Sequence, residues 1–376
     1  MQKMRCRMKE VHIGKSSSVV GLVTGDDGNI YGGVTGEDRL LFRYNPKRDA
    51  IEDLGLVVPG HQKLHHGIGK GPDGKIYMGT GHRYGDGDPH YIYLDYEGSR
   101  LIEYDPASAG FQDFGVRIPN EGTFCMAVDA ERGRVYGVTY PSNRFWTFDL
   151  ESRRGADKGH IGPMLSHSIA VDAEGNVWGS YGQSRLFKYD LATDRLVKTT
   201  ITMPGDEQNL DSIVRAPNGL LYGGTGDWFR SGYEQGGYVF VLDPKEGRTR
   251  YLGKPAVEGR IPAMALGRDG KTIYGSTGST EASVFALDIE TETITNLGFI
   301  LIPWDQMPAE ARAKKEAGPA VGAGDERRRA RRSRESDRLQ GHIGYRIHMM
   351  DVGLDGTLYC GETDRDPHLY ICTVER

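Results

Sequence analysis

One turn-and-strand unit recurs seven times along the chain, as DDGNIYGG, PDGKIYMG, ERGRVYGV, AEGNVWGS, PNGLLYGG, RDGKTIYGS and LDGTLYCG. The turns centre on Gly28, Gly74, Gly133, Gly175, Gly219, Gly270 and Gly356, where a tight hairpin needs the positive φ that glycine supplies. A short apolar strand precedes each hairpin, as in VVGLV, HGIGK, SIAVD and SIVRA. A third strand follows it: RLLFRYNP, RLIEYDP, RFWTFDL, RLFKYDL, YVFVLDP, SVFALDI and HLYICTV. Several units add a fourth strand ending in Leu54-Gly55, Phe114-Gly115, Leu252-Gly253 or Leu297-Gly298. A repeated antiparallel meander cannot bury its own faces, so successive copies must stack on one another. The pattern predicts an all-β chain, a single seven-bladed β-propeller spanning 1–376. The blades fall near 18–56, 65–116, 124–160, 167–203, 211–254, 262–299 and 347–376, the last completed by 5–14.

That completion follows from an edge problem. The final unit runs out of chain after its third strand, and an unpaired edge invites aggregation. The segment RCRMKEVHIG before the first unit has no other role, so it is expected to supply the outer strand of the last blade and close the ring non-covalently. One stretch breaks the repeat, an insertion at about 305–341 with ten Arg or Lys from Arg312 to Arg338 against five acids. So polar a composition cannot bury a core of its own, and a mobile or partly helical solvated loop is expected, with a basic run able to attract a polyanion. Net charge is -5, so nothing global argues for nucleic acid, and no apolar run is long enough to span a bilayer. The N-terminus has no apolar stretch after its basic residues. Cys6, Cys125, Cys360 and Cys372 show no C-x-x-C spacing and read as free thiols. Together these give an expected cytoplasmic location, with export left open, as is the oligomeric state.

Aligning the blades on their turn glycines puts Val20, His66, Phe124, His167, Asp211, Pro262 and His348 at the start of the innermost strand. With 11 histidines in 376 residues, three at one position of seven is a concentration chance does not supply. The matching ring at the end of the second strand is Val34, Thr80, Thr139, Tyr181, Thr225, Thr277 and Glu362, which sets Glu362 beside His348 with Asp364 close behind. Long connections at 81–99, 226–237 and 299–346, and a shorter one at 59–65, rise over the same face. Function concentrates on loops held by a rigid scaffold. These loops bring His82, Arg83, Tyr84, Trp228, Arg230, Tyr345 and Arg346, aromatics beside arginines that would floor a sugar or another polar ring. The ring Tyr31, Tyr77, Tyr136, Trp178, Tyr222, Tyr274 and Tyr359 repeats in every blade and is inter-blade core.

Imidazoles and carboxylates across a narrow mouth can hold a divalent metal (Mn, Zn, Mg or Ca), and His167, His348, Glu362 and Asp211 are the expected ligands. A neutral histidine is also a ready base. His66, His82, Tyr140, Tyr181, Arg83 and Arg346 are the expected catalytic groups, as base, acid and carboxylate clamp for a β-elimination. Trp228, Arg230, Tyr84, Tyr345 and Asp364 are expected to bind substrate, and no organic cofactor is expected.

Histidine opens an inner strand and glutamate stands fourteen residues on in HMMDVGLDGTLYCGE, from His348 to Glu362. This resembles the streptogramin (virginiamycin B) lyases. The resemblance implies seven blades and metal-assisted elimination across an ester. More loosely the chain resembles the propeller polysaccharide lyases and rhamnose–glucuronate-cleaving enzymes, which act on uronic acids with His, Tyr and Arg on such a face. His66, His82, the long loops and the basic insertion depart from the streptogramin pattern and point to a larger, anionic sugar. The leading expectation is a carbon–oxygen lyase acting on a uronic-acid-containing poly- or oligosaccharide. Its rivals are a non-catalytic glycan- or partner-binding propeller and a glycoside hydrolase or lactonase on the same scaffold.

Overall fold

The structure, a computed structural model, describes residues 3–82, 96–182, 184–205, 208–226, 236–277, 281–307, 334–363 and 367–375. Seven antiparallel sheets of four strands form blades I–VII, with strands a to d counted from the axis outward. Their inner strands are Ser18–Thr24, Ile68–Lys70, Gly122–Asp129, Ala170–Val171, Asn209–Arg215, Ala263–Leu266 and Ile347–Val352. Each touches the next, and the last touches the first, so the ring is closed.

The repeated aromatic-glycine pair explains how a blade stays flat enough to stack. In blades I, III, IV, V and VI the glycine on strand b lies directly opposite an aromatic on strand c: Gly32 and Phe42, Gly137 and Trp146, Gly179 and Phe187, Gly223 and Phe240, Gly275 and Phe285. A Cβ on Gly137 would meet the Trp146 ring, so the ring lies over bare backbone. Where blade II has Met78 instead, its partner shrinks to Ile102, which keeps the pair's volume within the layer. The preceding aromatic turns to the neighbouring blade. Tyr31 packs with Ile76, Ile102 and Tyr104 of blade II, and Tyr136 with Tyr189 of blade IV. Several of their polar ends find partners at the rim, as in Tyr31 to Asp27 at 2.7 Å and Trp178 to Asp172 at 2.8 Å. This is the inter-blade core expected of a ring that repeats in every blade.

Blade VII consists of Ile347–Val352, Leu358–Glu362, His368–Val374 and, outermost, Met4–Glu10. The N-terminal strand thus caps the edge, but the closure is not only non-covalent. Cys6 and Cys372 are directly opposed in this ladder and form a disulfide that ties together positions 366 residues apart. The expectation of four free thiols is corrected to two, the buried Cys125 and Cys360. The pairing depends on a register that exists only once the ring has closed, which no local spacing reveals. The insertion leaves and rejoins the ring through a two-stranded ribbon, Leu301–Pro303 with Gly341–Ile343, whose Ile302 and Ile343 are fully buried. Most of it, 308–333, lies outside the described residues.

Candidate active site at the channel mouth

Five of the seven first-strand positions are backbone irregularities. In blades I, III, V and VII the a–b register slips by one residue, between Val19 and Gly21, Thr123 and Cys125, Leu210 and Ser212, and Ile347 and Met349. The residue left over in each bulge is Val20, Phe124, Asp211 or His348. A bulge releases one residue from the ladder and re-aims its side chain. His66 reaches a similar release by a φ of 46°, with its N–H bonded to Val20 O and its carbonyl to Met126 N. So strained a conformation for a non-glycine residue is held by the inner strands on either side of it.

Two groups of side chains meet at this mouth. In the first, His348 Nε2 lies 2.7 Å from His66 Nε2 and 2.9 Å from His65 Nε2. Nδ1 of His65 lies 2.9 Å from the Phe124 carbonyl, which can only accept, so Nδ1 carries the ring proton and Nε2 offers a lone pair. Three ring nitrogens therefore converge around a point that at most one proton can satisfy. Burial, then the neighbouring charges, lowers all three pKa values, His66 to about 3 and His65 and His348 well below the ordinary value. Lys63 is buried close by, and burial pushes its ammonium down to about 7. In the second group, Asp211 is shared between His167 Nδ1 at 3.3 Å and Arg260 Nε at 2.6 Å. Burial alone would raise the Asp211 carboxyl; Arg260 and His167 together hold it below its usual range. Burial lowers His167, outweighing the opposing pull of Asp211. The Phe124 ring stands between the groups, 4.5 Å from His65 and 5.1 Å from His167 by centroids.

The sequence-derived set divides accordingly. His66, His167, Asp211 and His348 meet at the mouth, and Tyr140 adjoins it, with its ring 6.3 Å from Phe124. Glu362 does not face His348. The bulge opposes it to Ile347, and its carboxylate accepts from Tyr345 N at 2.9 Å and Tyr370 Oη at 3.0 Å, with His368 Nδ1 at 2.5 Å. Tyr181 is also turned away, donating its hydroxyl to Thr199 O on the outer strand at 2.9 Å. Both occupy the position where blades II, III and V have Thr80, Thr139 and Thr225, whose hydroxyls accept from the N–H that opens strand c. That position therefore looks outward in these five blades. His82 lies on the flank between blades I and II, edge-on to Tyr96. Arg346 stands over the Tyr345 ring, 5.2 Å from its centroid. Arg83, Tyr84, Trp228, Arg230 and Asp364 lie outside the described residues. Lys63, His65 and Arg260 were missed because they sit in the straps between blades, one to three residues ahead of the aligned position.

Buried neutral histidines make stability depend on pH. Their folded pKa values lie below the ordinary 6.5, so the unfolded chain takes up protons first as pH falls. Their contribution is complete above about pH 6.5 and is lost from there down toward the folded values, near 3 for His66. Lys63, held near 7 against an ordinary 10.5, adds a further rise in stability as pH goes up from 7. Below that range the melting temperature is expected to fall steadily from pH 6.5 to 4. His66→Gln should flatten that slope; an unchanged slope would mean that His66 is not held neutral.

No family model matches the sequence, and no curated protein matches it. Solved structures do. A streptogramin B lyase superimposes with a TM-score of 0.65 at 11% identity, covering 98% of both chains. The fold is that of the streptogramin B lyases. Virginiamycin B lyase from Staphylococcus aureus gives 0.64 at 9% identity over 99% of both chains. A catalytically inactive histidine-to-alanine variant of that enzyme, in complex with quinupristin, gives 0.63 at 9% identity, covering 98% of this chain and 99% of that one. The extracellular domain of a hybrid two-component system from B. thetaiotaomicron gives 0.58 at 11% identity, covering 97% of this chain and 40% of that one. At such identities the likeness is one of fold, and it spans enzymes and an extracellular domain of a two-component system alike.

Proposed function

We propose that the chain is a carbon–oxygen lyase that cleaves a uronic-acid-containing poly- or oligosaccharide by β-elimination at this mouth. The observation that carries the reading is the convergence of neutral His65, His66 and His348 opposite a carboxylate-oriented His167. Three lone pairs around one point suit a divalent cation, Zn or Mn better than Ca given nitrogen ligands. Such a cation, when bound, would draw charge from a substrate carboxylate and acidify the adjacent C–H. Asp211 favours the proton of His167 on Nδ1, which leaves Nε2 as the base. His167 takes the proton from the carbon next to the carboxylate, that electron pair forms the double bond, and the C–O bond on the next carbon breaks. The leaving oxygen takes its proton from the Tyr140 hydroxyl. Arg346 is the carboxylate clamp of this scheme. The alternative of a non-catalytic binding propeller draws support from the extracellular domain of a two-component system that shares the fold.

The test is a screen of uronate polymers, with quinupristin included because the S. aureus enzyme binds it, read by ultraviolet absorbance of a new conjugated double bond. Metal content is measured in parallel. His167→Ala and His348→Ala are each expected to cut turnover by about 10²–10⁴-fold. Products without unsaturation would make the protein a hydrolase or lactonase. Ligand binding that survives both substitutions, with no turnover in the parent, would make it a binding propeller.

A further inference from the structure

A second concavity lies away from the mouth, on the flank of blades I and II. It is a cleft of about 820 Å³, a volume that accommodates a small organic molecule. Part of its lining is apolar and open to water. Of the six large apolar side chains exposed among the described residues, Val57 (54%) and Phe111 (40%) both line this cleft. Two large apolar groups left in contact with water within one concavity mark it as a place where an apolar ligand gains by binding.

The polar groups stand beside these apolar ones, Asp113 two residues beyond Phe111 on the same face of one outer strand, and their net charge is decided by hydrogen bonds. Arg100 holds Glu97 with Nε at 2.6 Å and Nη2 at 2.9 Å, and reaches Asp113 with Nη1 at 2.6 Å. One guanidinium is thus already matched by two carboxylates. His61 adds no charge near neutral pH. Burial lowers its pKa, and its ring is held by Thr80 at 2.7 Å and Tyr96 at 3.2 Å. The Arg100, Glu97 and Asp113 cluster therefore keeps one negative charge in excess, beside an exposed aromatic ring. Ring faces and carboxylates together are the surroundings an organic ammonium seeks.

We propose that this cleft binds a small amphipathic amine, with its apolar ring against Val57 and Phe111 and its ammonium against Asp113 and Glu97. The site is independent of the mouth and of the elimination proposed there. Its ligand is opposite in charge to a uronate, so the two sites would not compete for one molecule.

Tryptamine, indole-3-acetate and tryptophol share a ring and differ in head-group charge, which makes them the probes. Their affinities for the full chain are measured by calorimetry. Tryptamine is expected to bind tightest and indole-3-acetate weakest. Phe111→Ala should weaken all three, and Asp113→Asn should weaken tryptamine alone, by about two- to fivefold, as for a partly exposed ion pair. Both side chains are on the solvent side of an outer strand, and a thermal melt confirms that each variant folds. Indole-3-acetate binding as well as tryptamine, tryptamine binding unmoved by Phe111→Ala, or no binding by any of the three would each overturn the assignment.

Discussion

Deleting residues 1–14 is expected to abolish cooperative folding at ordinary temperature. The segment contributes the entire outer strand of blade VII and buries Met4, Cys6, Met8, Val11 and Ile13, each 7% exposed or less. At about 1.5–3 kcal/mol for each buried side chain, the loss is on the order of 7–15 kcal/mol, as large as the whole stability of an ordinary domain. The deletion also bares the His368–Val374 strand as a new edge. Breaking the disulfide alone is the milder perturbation. Closing a loop of 366 residues limits the unfolded chain by about 4–6 kcal/mol in the loop-entropy account. Cys372→Ser should therefore lower the melting temperature clearly and leave a folded ring, whereas the deletion should leave none. Calorimetry of the two variants beside the parent separates these outcomes. A deletion variant melting within a few degrees of the parent would show that blade VII stands without its fourth strand.

The architecture was legible because most blades solve one packing problem with the same residues. A tyrosine turns to the neighbour, a glycine lies under an aromatic, and a glycine turns the hairpin. Two blades depart from the glycine: Met78 lies against Ile102, which keeps the volume of the pair, and Cys360 lies against Tyr370. The site was legible only in part, because the repeat is informative where blades agree and chemistry occupies places where they differ. Aligning first-strand starts found His66, His167, Asp211 and His348. It did not reveal that four blades bulge there, and one extra residue changes which neighbour a side chain faces. Glu362 was therefore set beside His348, although its position looks outward as Thr80 and Thr225 do. Lys63, His65 and Arg260 lie on straps of unequal length, where turn glycines give nothing to align. The Cys6–Cys372 bond is invisible for a related reason. It belongs to a ladder formed by the two ends of the chain, and only ring closure brings those ends into register.

Arg260→Met is expected to cost about 3–5 kcal/mol of stability and to change the pH profile of any reaction at the mouth. Asp211 is fully buried, its side chain 0% exposed, and Arg260 is the guanidinium that matches it. Removing one partner of a buried pair leaves the other's desolvation uncompensated, which is why such losses exceed those of exposed pairs. The electrostatic consequence has a definite sign. Arg260 lowers the pKa of His167, whereas Asp211 raises it. Without the guanidinium, His167 keeps the partner that favours its charged form and loses the group that opposes it, so its pKa rises. A base must be neutral to act, so the acid limb of the rate profile moves to higher pH. Asp211→Asn reverses the sign. It removes the partner that favours imidazolium and leaves Arg260, so the acid limb moves to lower pH even though stability is again reduced. A purely structural role for the Arg260–Asp211 pair would lower stability in both variants and leave the two acid limbs superimposed. Opposite displacements of those limbs would place the group whose protonation stops the reaction next to this pair, at His167 or at His66, on which Arg260 and Asp211 act with the same signs.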